Sequence, residues 1–328
     1  MPLTIPFVKG HCGWDAVTLL LEGSVPLQQE LETALKIIDE PIRGGLEVGF
    51  LGKGGGPGRI RLRMVDSTTR NWISMCGGMT QVIGKALVES SFRDHFQLDT
   101  SGSKLEIQLV TAAGVIPLEI DIAGGRAVRT TTVMDDYVAF LYRRGVEPLT
   151  FDGVSVLQAD DMMMVDVAIL EQRYPGVDFA RRDEGPHLEI VNNLLGSFQR
   201  HRQANEGAIG MLYDNRPEGP GHFRAFPRFL SSDGSAAGIP FEFQCGTGTV
   251  GLGIAVAHHG QLPFEGTRGQ IVFEWGSQRA TPDPYGIRVS DLTIALSEGR
   301  VTQACYSHSV VELLAQGTLT LPDYRARS

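Results

Sequence analysis

The chain has 328 residues, of which 42% are hydrophobic and 20% charged, and a formal net charge of −9. Such a length supports a substantial core and, at about 100–200 residues per domain, two domains. The composition excludes disorder, and the sequence holds no run of ~18 apolar residues that could span a bilayer. The acidic balance argues against nucleic acid as a partner, because phosphate backbones are met by a basic face.

The amino terminus, MPLTIPFVKGHCGWD, lacks a basic start followed by an apolar block, so no signal peptide is expected and the cytoplasm is the expected compartment. Cysteines stand at positions 12, 76, 245 and 305, with no C-x-x-C pair and no companion histidine at zinc-ligand spacing. This pattern predicts free thiols in a reducing compartment and no metal.

In chain order, the first predicted helix covers Leu27 to Asp39. LGKGGGPGRIRLR, Leu51 to Arg63, is glycine-rich and basic but lacks the GK[ST] ending of a phosphate loop, so it reads as a hairpin turn between strands. NWISM reads as a short strand that leads into a helix at Cys76 to Glu89, where Met79, Val82, Ile83, Ala86 and Leu87 follow the i, i+3, i+4, i+7, i+8 pattern. Residues 103 to 134 alternate apolar and polar (Leu105, Ile107, Leu109; Leu118, Ile120, Ile122) between Gly and Pro turns, the signature of half-buried antiparallel strands. The boundary between halves is expected near Gly124 to Met134, giving a first half of 1–130 and a second of 131–328.

Further helices are predicted at Asp135 to Arg144, Met162 to Arg173 and His187 to His201. IPFEFQ reads as a strand, and TVGLGIAVAHH is apolar nearly all round, as expected of a helix enclosed by sheet. GQIVFEWGSQR and YGIRVSDLTIALSEGRVTQACYS return to strands, with turns supplied from 40 glycines. Gly246-Thr-Gly248-Thr-Val-Gly251 matches G-x-G-x-x-G, but the chain lacks the alternating parallel βαβ pattern, so a dinucleotide is not expected.

One motif occurs twice. Cys76-Gly77-x-x-Thr80-x-x-x-Gly84 is repeated as Cys245-Gly246-x-x-Thr249-x-x-x-Gly253, about half the chain later, which points to two related halves that each present one thiol at a helix start. The first N–H groups of a helix have no partner inside it and carry the positive end of its dipole. A carboxylate can dock there, and glycines at 77, 78, 246 and 248 keep the approach open, while the same field is expected to lower the thiol pKa. If one cysteine is thiolate and the other thiol, the first removes a proton from the carbon next to a carboxylate and the second returns one on the opposite face. That is racemisation without a cofactor, and two identical residue types suit a reaction that runs both ways. Cys12 and Cys305, which lie outside the motif, read as inert core residues.

MCGG (Met75 to Gly78) together with QCGTGT (Gln244 to Thr249) resembles the diaminopimelate epimerase and proline racemase superfamily, in which an MCG-type and a CGTG-type motif carry two catalytic cysteines. KGHCGWD, Lys9 to Asp15, is similar to that family's opening strand and turn, which lines the substrate site. The resemblance implies an α+β fold of two pseudo-symmetric halves, each a small mixed or antiparallel β-barrel around a central helix, with the active site between them. It also implies that the carboxy-terminal segment, about 310–328, returns to the first half. Carried over by position, Cys76 and Cys245 become the acid/base pair, and Gly77, Gly78, Gly246, Thr247 and Gly248 the carboxylate cradle; Trp14 and one of Asn192 and Asn193, with Asn193 preferred, are added as substrate contacts.

This chain departs from the family at several places. Ala236 and Ala237 stand where diaminopimelate epimerases have a Glu-Arg pair, Gly78 stands where Asn or His follows the first Cys-Gly, and Trp14 replaces the opening asparagine. The expected function is a cofactor-independent racemase or epimerase of an amino acid or related carboxylic acid, with a small carboxylate as partner and a homodimer left open. Two alternatives stay open: an allylic proton-shift isomerase of an unsaturated di- or tricarboxylate, and a catalytically silent small-acid binding protein.

Overall fold

The structure, a computed structural model, describes residues 3–13, 15–40, 45–179, 185–202, 208–214, 222–230, 245–260, 268–273 and 288–321. The chain divides into two compact units, one of Met1–Thr132 with Val311–Ser328 and the other of Val133–Val310.

The first unit contains β1 (Leu3–Cys12), β2 (Asp15–Leu21), α1 (Glu30–Ile38), β3 (Glu47–Lys53), β4 (Arg59–Asp66), β5 (Trp72–Ile73), α2 (Gly77–Glu89), α3 (Phe92–Phe96), β6 (Lys104–Thr111), β7 (Gly114–Ala123) and β8 (Arg126–Val133). The second contains α4 (Asp135–Arg144), β9 (Val146–Phe151), β10 (Val154–Ala159), β11 (Met162–Asp166), α5 (Val167–Arg173), α6 (Pro186–Arg202), β12 (Ala208–Asp214), β13 (His222–Leu230), α7 (Gly246–His258), β14 (Arg268–Phe273), β15 (Arg288–Ser297) and β16 (Arg300–His308). The last strand, β17 (Val311–Leu321), pairs antiparallel with β1 and so completes the first unit.

Strand pairing exposes the duplication. In the first unit β17–β1–β2 is antiparallel, β2–β3 parallel, β3–β4 antiparallel, β4–β6 parallel and β6–β7–β8 antiparallel. In the second unit β9–β10–β11 is antiparallel, β11–β12 parallel, β12–β13 antiparallel, β13–β14 parallel and β14–β15–β16 antiparallel. The two ladders run through the same series of orientations. A parallel pair needs a crossover, usually a helix. Here α1 and α2 serve the first ladder, and α5 with α6, then α7, serve the second. The cysteine-led helix is the second crossover each time.

Burial explains why each unit holds together. Alternate residues Ile60, Leu62 and Met64 of β4, and Ile116, Leu118, Ile120 and Ile122 of β7, face inward, as period-two patterning requires. The outer face of the first sheet is closed by α1, whose Ala34 and Ile37 join Leu20, Val48, Phe50 and Val65. In the second unit α5 and α6 bring Leu170, Val191, Leu194, Leu195 and Phe198 onto Val156, Val165 and Leu212.

Two expectations are corrected. Among the described residues no pairing closes either ladder into a barrel. The cysteine-led helix packs against each ladder, α2 on β17, β1, β2 and β7, and α7 on β11, β12, β15 and β16. The helix expected over Met162 to Arg173 begins only at Val167. Five consecutive buried residues, Met162 to Asp166, suit helix or strand equally by hydrophobicity. Parallel pairing with β12 selects the strand, and the Asp166 carboxylate accepts the Ala168 N–H at 2.9 Å to start the helix.

The glycine-rich basic loop is the hairpin between β3 and β4, with positive φ at Gly55 and Gly58. Its Arg61 and Arg63 donate to Glu22 of the neighbouring turn, so these cations are engaged within the fold. The strand expected at IPFEFQ lies outside the described residues. Among the described residues no helix is long and apolar enough to cross a membrane.

Enclosure of α2 and α7 accounts for the last glycine of the repeated motif. A Cβ on Gly84 would lie 2.4 Å from Thr130 Oγ1 and 3.0 Å from Thr130 Cβ, whereas on Gly253 it would meet only Leu292 Cδ2 below 3 Å, at 2.9 Å. Thr130 is β-branched and held by its strand, while Leu292 can turn its terminal methyl away. Gly84→Ala is therefore expected to cost about 1–3 kcal/mol and Gly253→Ala clearly less, measured by urea unfolding; equal losses would refute the difference.

Candidate active site

Both motif cysteines are N-caps. Cys76 precedes α2 with extended backbone (φ −133°, ψ 118°), and its sulfur accepts the Met79 N–H at 3.2 Å. Cys245 precedes α7 with φ −113° and ψ 112°, and its sulfur accepts the Gly248 N–H, also at 3.2 Å. A sulfur thus does at each helix start what a serine or aspartate oxygen commonly does. The motif threonines bond back to the same turn, Thr80 Oγ1 to the Gly77 carbonyl and Thr249 Oγ1 to the Cys245 carbonyl, both at 2.7 Å. Each helix runs 13 residues from this start.

Gly77 and Gly78, and Gly246, Thr247 and Gly248, form the first turns and are buried. A Cβ on Gly248 would lie 2.6 Å from Met211 Cε and 3.0 Å from Cys245 Sγ, so a side chain there would displace Met211 and crowd this sulfur. Asn193 is exposed on α6 beside half-buried Asn192, and Trp14 lies outside the described residues. Cys12 is fully buried and Cys305 half-buried.

The surroundings of the first thiol hold two residues that motif reading missed. Cys76 Sγ lies 2.6 Å from Glu47 Oε2 and 4.0 Å from Asp15 Oδ2, and the three side chains have ligating atoms within 4.8 Å of one another. Register explains the convergence. On the parallel pair β2–β3, Val17 stands beside Glu47, so Asp15 and Glu47 lie at the same end of the sheet. Residues two apart on a strand share a face, and Gly49, two after Glu47, points at Met79 of α2. Both carboxyls are thus aimed at the start of that helix. Asp66, directly opposite Glu47 on β4 and half-buried like it, adds a third acid.

These groups reverse an expectation about the thiol. Burial, then the charges of Glu47 and Asp15, push Cys76 well above the ordinary thiol range, against the lowering effect of the Met79 N–H. The helix terminus alone would lower it. Asp15 is itself pushed up to about 7, first by burial and then by Asp66, while a hydrogen bond with Glu47 works the other way. At Cys245 the neighbouring side chain is a hydroxyl, Thr247 Oγ1, at 3.4 Å.

A duplicated mixed ladder whose second crossover helix opens on Cys-Gly defines a class, the fold of the proline racemase and diaminopimelate epimerase type. The solved structures it resembles include a hydroxyproline epimerase from Agrobacterium vitis with bound trans-4-hydroxy-L-proline (13% identity, TM-score 0.66, 98% of this chain and 94% of that one). A probable proline racemase from Agrobacterium radiobacter with bound carbonate superposes with a TM-score of 0.67 at 12% identity over 98% of this chain and 94% of that one. A methylitaconate-delta-isomerase gives 0.60 at 12% identity over 98% and 96%. No family model and no curated protein sequence matches the chain.

Proposed function

We propose that the protein is an isomerase, a cofactor-independent racemase or epimerase that inverts the α-carbon of an amino acid or related carboxylic acid by two-thiol proton transfer. The observation that carries this reading is the doubled helix start, in which an N-capping cysteine followed by glycine opens a buried helix in each unit. Likeness to proteins described as a hydroxyproline epimerase and a probable proline racemase supports it. In the reaction one sulfur takes the α-proton, first-turn N–H groups such as those of Gly78, Gly246 and Thr247 offset the charge growing on the carboxylate, and the other sulfur returns a proton.

Likeness to a methylitaconate-delta-isomerase favours a second reading, an allylic proton shift in an unsaturated di- or tricarboxylate. Incubation in heavy water with free amino acids, starting with proline and 4-hydroxyproline, is expected to introduce deuterium at the α-carbon with inversion. Deuterium at an allylic carbon of an unsaturated acid with a new absorbance would select the second reading. A ligand that binds without any exchange would leave a binding protein.

A further inference from the structure

Gly78 stands where a side chain would be expected from the resemblance, and the structure shows what fills its place. A Cβ at Gly78 would lie 2.5 Å from Asp15 Oδ2 and 3.5 Å from Cys12 Cβ. The carboxyl of Asp15 thus occupies the space left by the missing side chain, beside a thiol that already donates to Glu47. Two acids on neighbouring parallel strands and one glycine on the helix form a single arrangement around Cys76.

We propose that Glu47, backed by Asp15, is the positioning residue of Cys76: it accepts the thiol hydrogen bond, keeps this sulfur in its proton-bearing form, and passes protons between the sulfur and the Asp15 carboxyl after each turnover. The last part rests on the racemase reading; the first two do not. The groups that face the thiol are Asp15 from β2, Glu47 from β3 with Asp66 of β4 behind it, and the Met79 N–H from α2. Three carboxyls packed together cannot all ionise cheaply, so the cluster retains protons near neutrality.

In turnover, Cys76 gives its proton to the substrate carbon: an S–H bond breaks, a C–H bond forms, and the negative charge passes to sulfur. The carboxyl proton held by the Asp15–Glu47 pair then moves to sulfur, the charge passes to the carboxylates, and solvent returns the proton to them. Once Cys245 has released the α-proton it took to solvent, the free enzyme regains protonated Cys76 beside a Cys245 thiolate without running the reaction backwards.

Site-resolved alkylation tests this without substrate. The full-length protein is treated with iodoacetamide across a range of pH, and modification of the Cys76 peptide is followed by mass spectrometry. The wild-type midpoint is expected above the ~8.5 of an ordinary thiol. Glu47→Gln should move it down by about one unit or more, because a negative charge that opposes thiolate formation is gone. Asp15→Asn should move it in the same direction by less, and Glu47→Asp should keep it high. A merely structural role would lower the melting temperature of Glu47→Gln and leave the midpoint in place.

A wild-type midpoint at or below ~8.5, or an unchanged midpoint in folded Glu47→Gln, overturns the proposal. If Glu47→Gln does not fold, the wild-type profile and Asp15→Asn decide. The two readings also fail separately. A shifted midpoint in a protein that exchanges no α-proton keeps the carboxyl pair and removes the racemase, and α-exchange with an unmoved midpoint does the reverse.

Discussion

Cys76→Ser and Cys245→Ser are each expected to lower turnover at least ~10²-fold, the low end of what a positioned general acid or base contributes. Serine keeps the geometry, since its oxygen is among the preferred N-caps and can accept the Met79 or Gly248 N–H that the sulfur now accepts. What serine lacks is acidity: its hydroxyl neither forms an anion near neutrality nor yields a proton readily to carbon. Loss should therefore appear in kcat with KM little changed, since the interaction removed exists only in the transition state. The double variant should be hardly worse than either single one, because residues that act as a unit are not additive. Deuterium exchange at the α-carbon is the readout, with circular dichroism to show that the fold is kept. Activity retained in both single variants would end the two-thiol mechanism.

How far the sequence reveals this site depends on the range of the interactions involved. Helix caps are local, so Cys76 and Cys245 were legible: the cap, the glycines, the Thr that bonds back and the Gly that meets a strand all fall within nine residues. Repetition of that frame also disclosed the duplication, which the matching order of strand orientations makes explicit. Asp15 and Glu47 were not legible as partners of Cys76, because only the register of β2 on β3 brings them together. Their trace in the sequence was a gap: Gly78 in place of a side chain is the cue that another residue fills the space. Met162 to Asp166 shows the same limit for secondary structure, since a fully buried run carries no period and one of its two partner strands, β12, lies more than forty residues away.

The second large effect is expected in stability. Arg224→Ala should destabilise the second unit by about 3–5 kcal/mol, the usual cost of removing one partner from a buried ion pair. Asp214, at the end of β12, is fully buried, stands opposite Arg224 on β13, and accepts from its Nη2 at 2.5 Å. The pair is unequal: the carboxylate side chain is 0% exposed and the guanidinium side chain 26%. Removing Arg224 takes the cation away from a fully buried carboxylate, whereas Asp214→Asn leaves a cation that reaches water, so the asparagine variant should lose clearly less. Urea unfolding with an unchanged m-value would read both losses as stability. The consequence extends to chemistry, because β12 also carries Met211, which packs on Gly248, the residue whose N–H caps onto Cys245. Loosening this strand should therefore raise the dynamic freedom of that sulfur, and Arg224→Ala should lose turnover in its folded fraction while Asp214→Asn largely keeps it. Equal losses of stability in the two variants would mean that the burial asymmetry does not govern the pair, and full turnover in Arg224→Ala would separate β12 from the thiol.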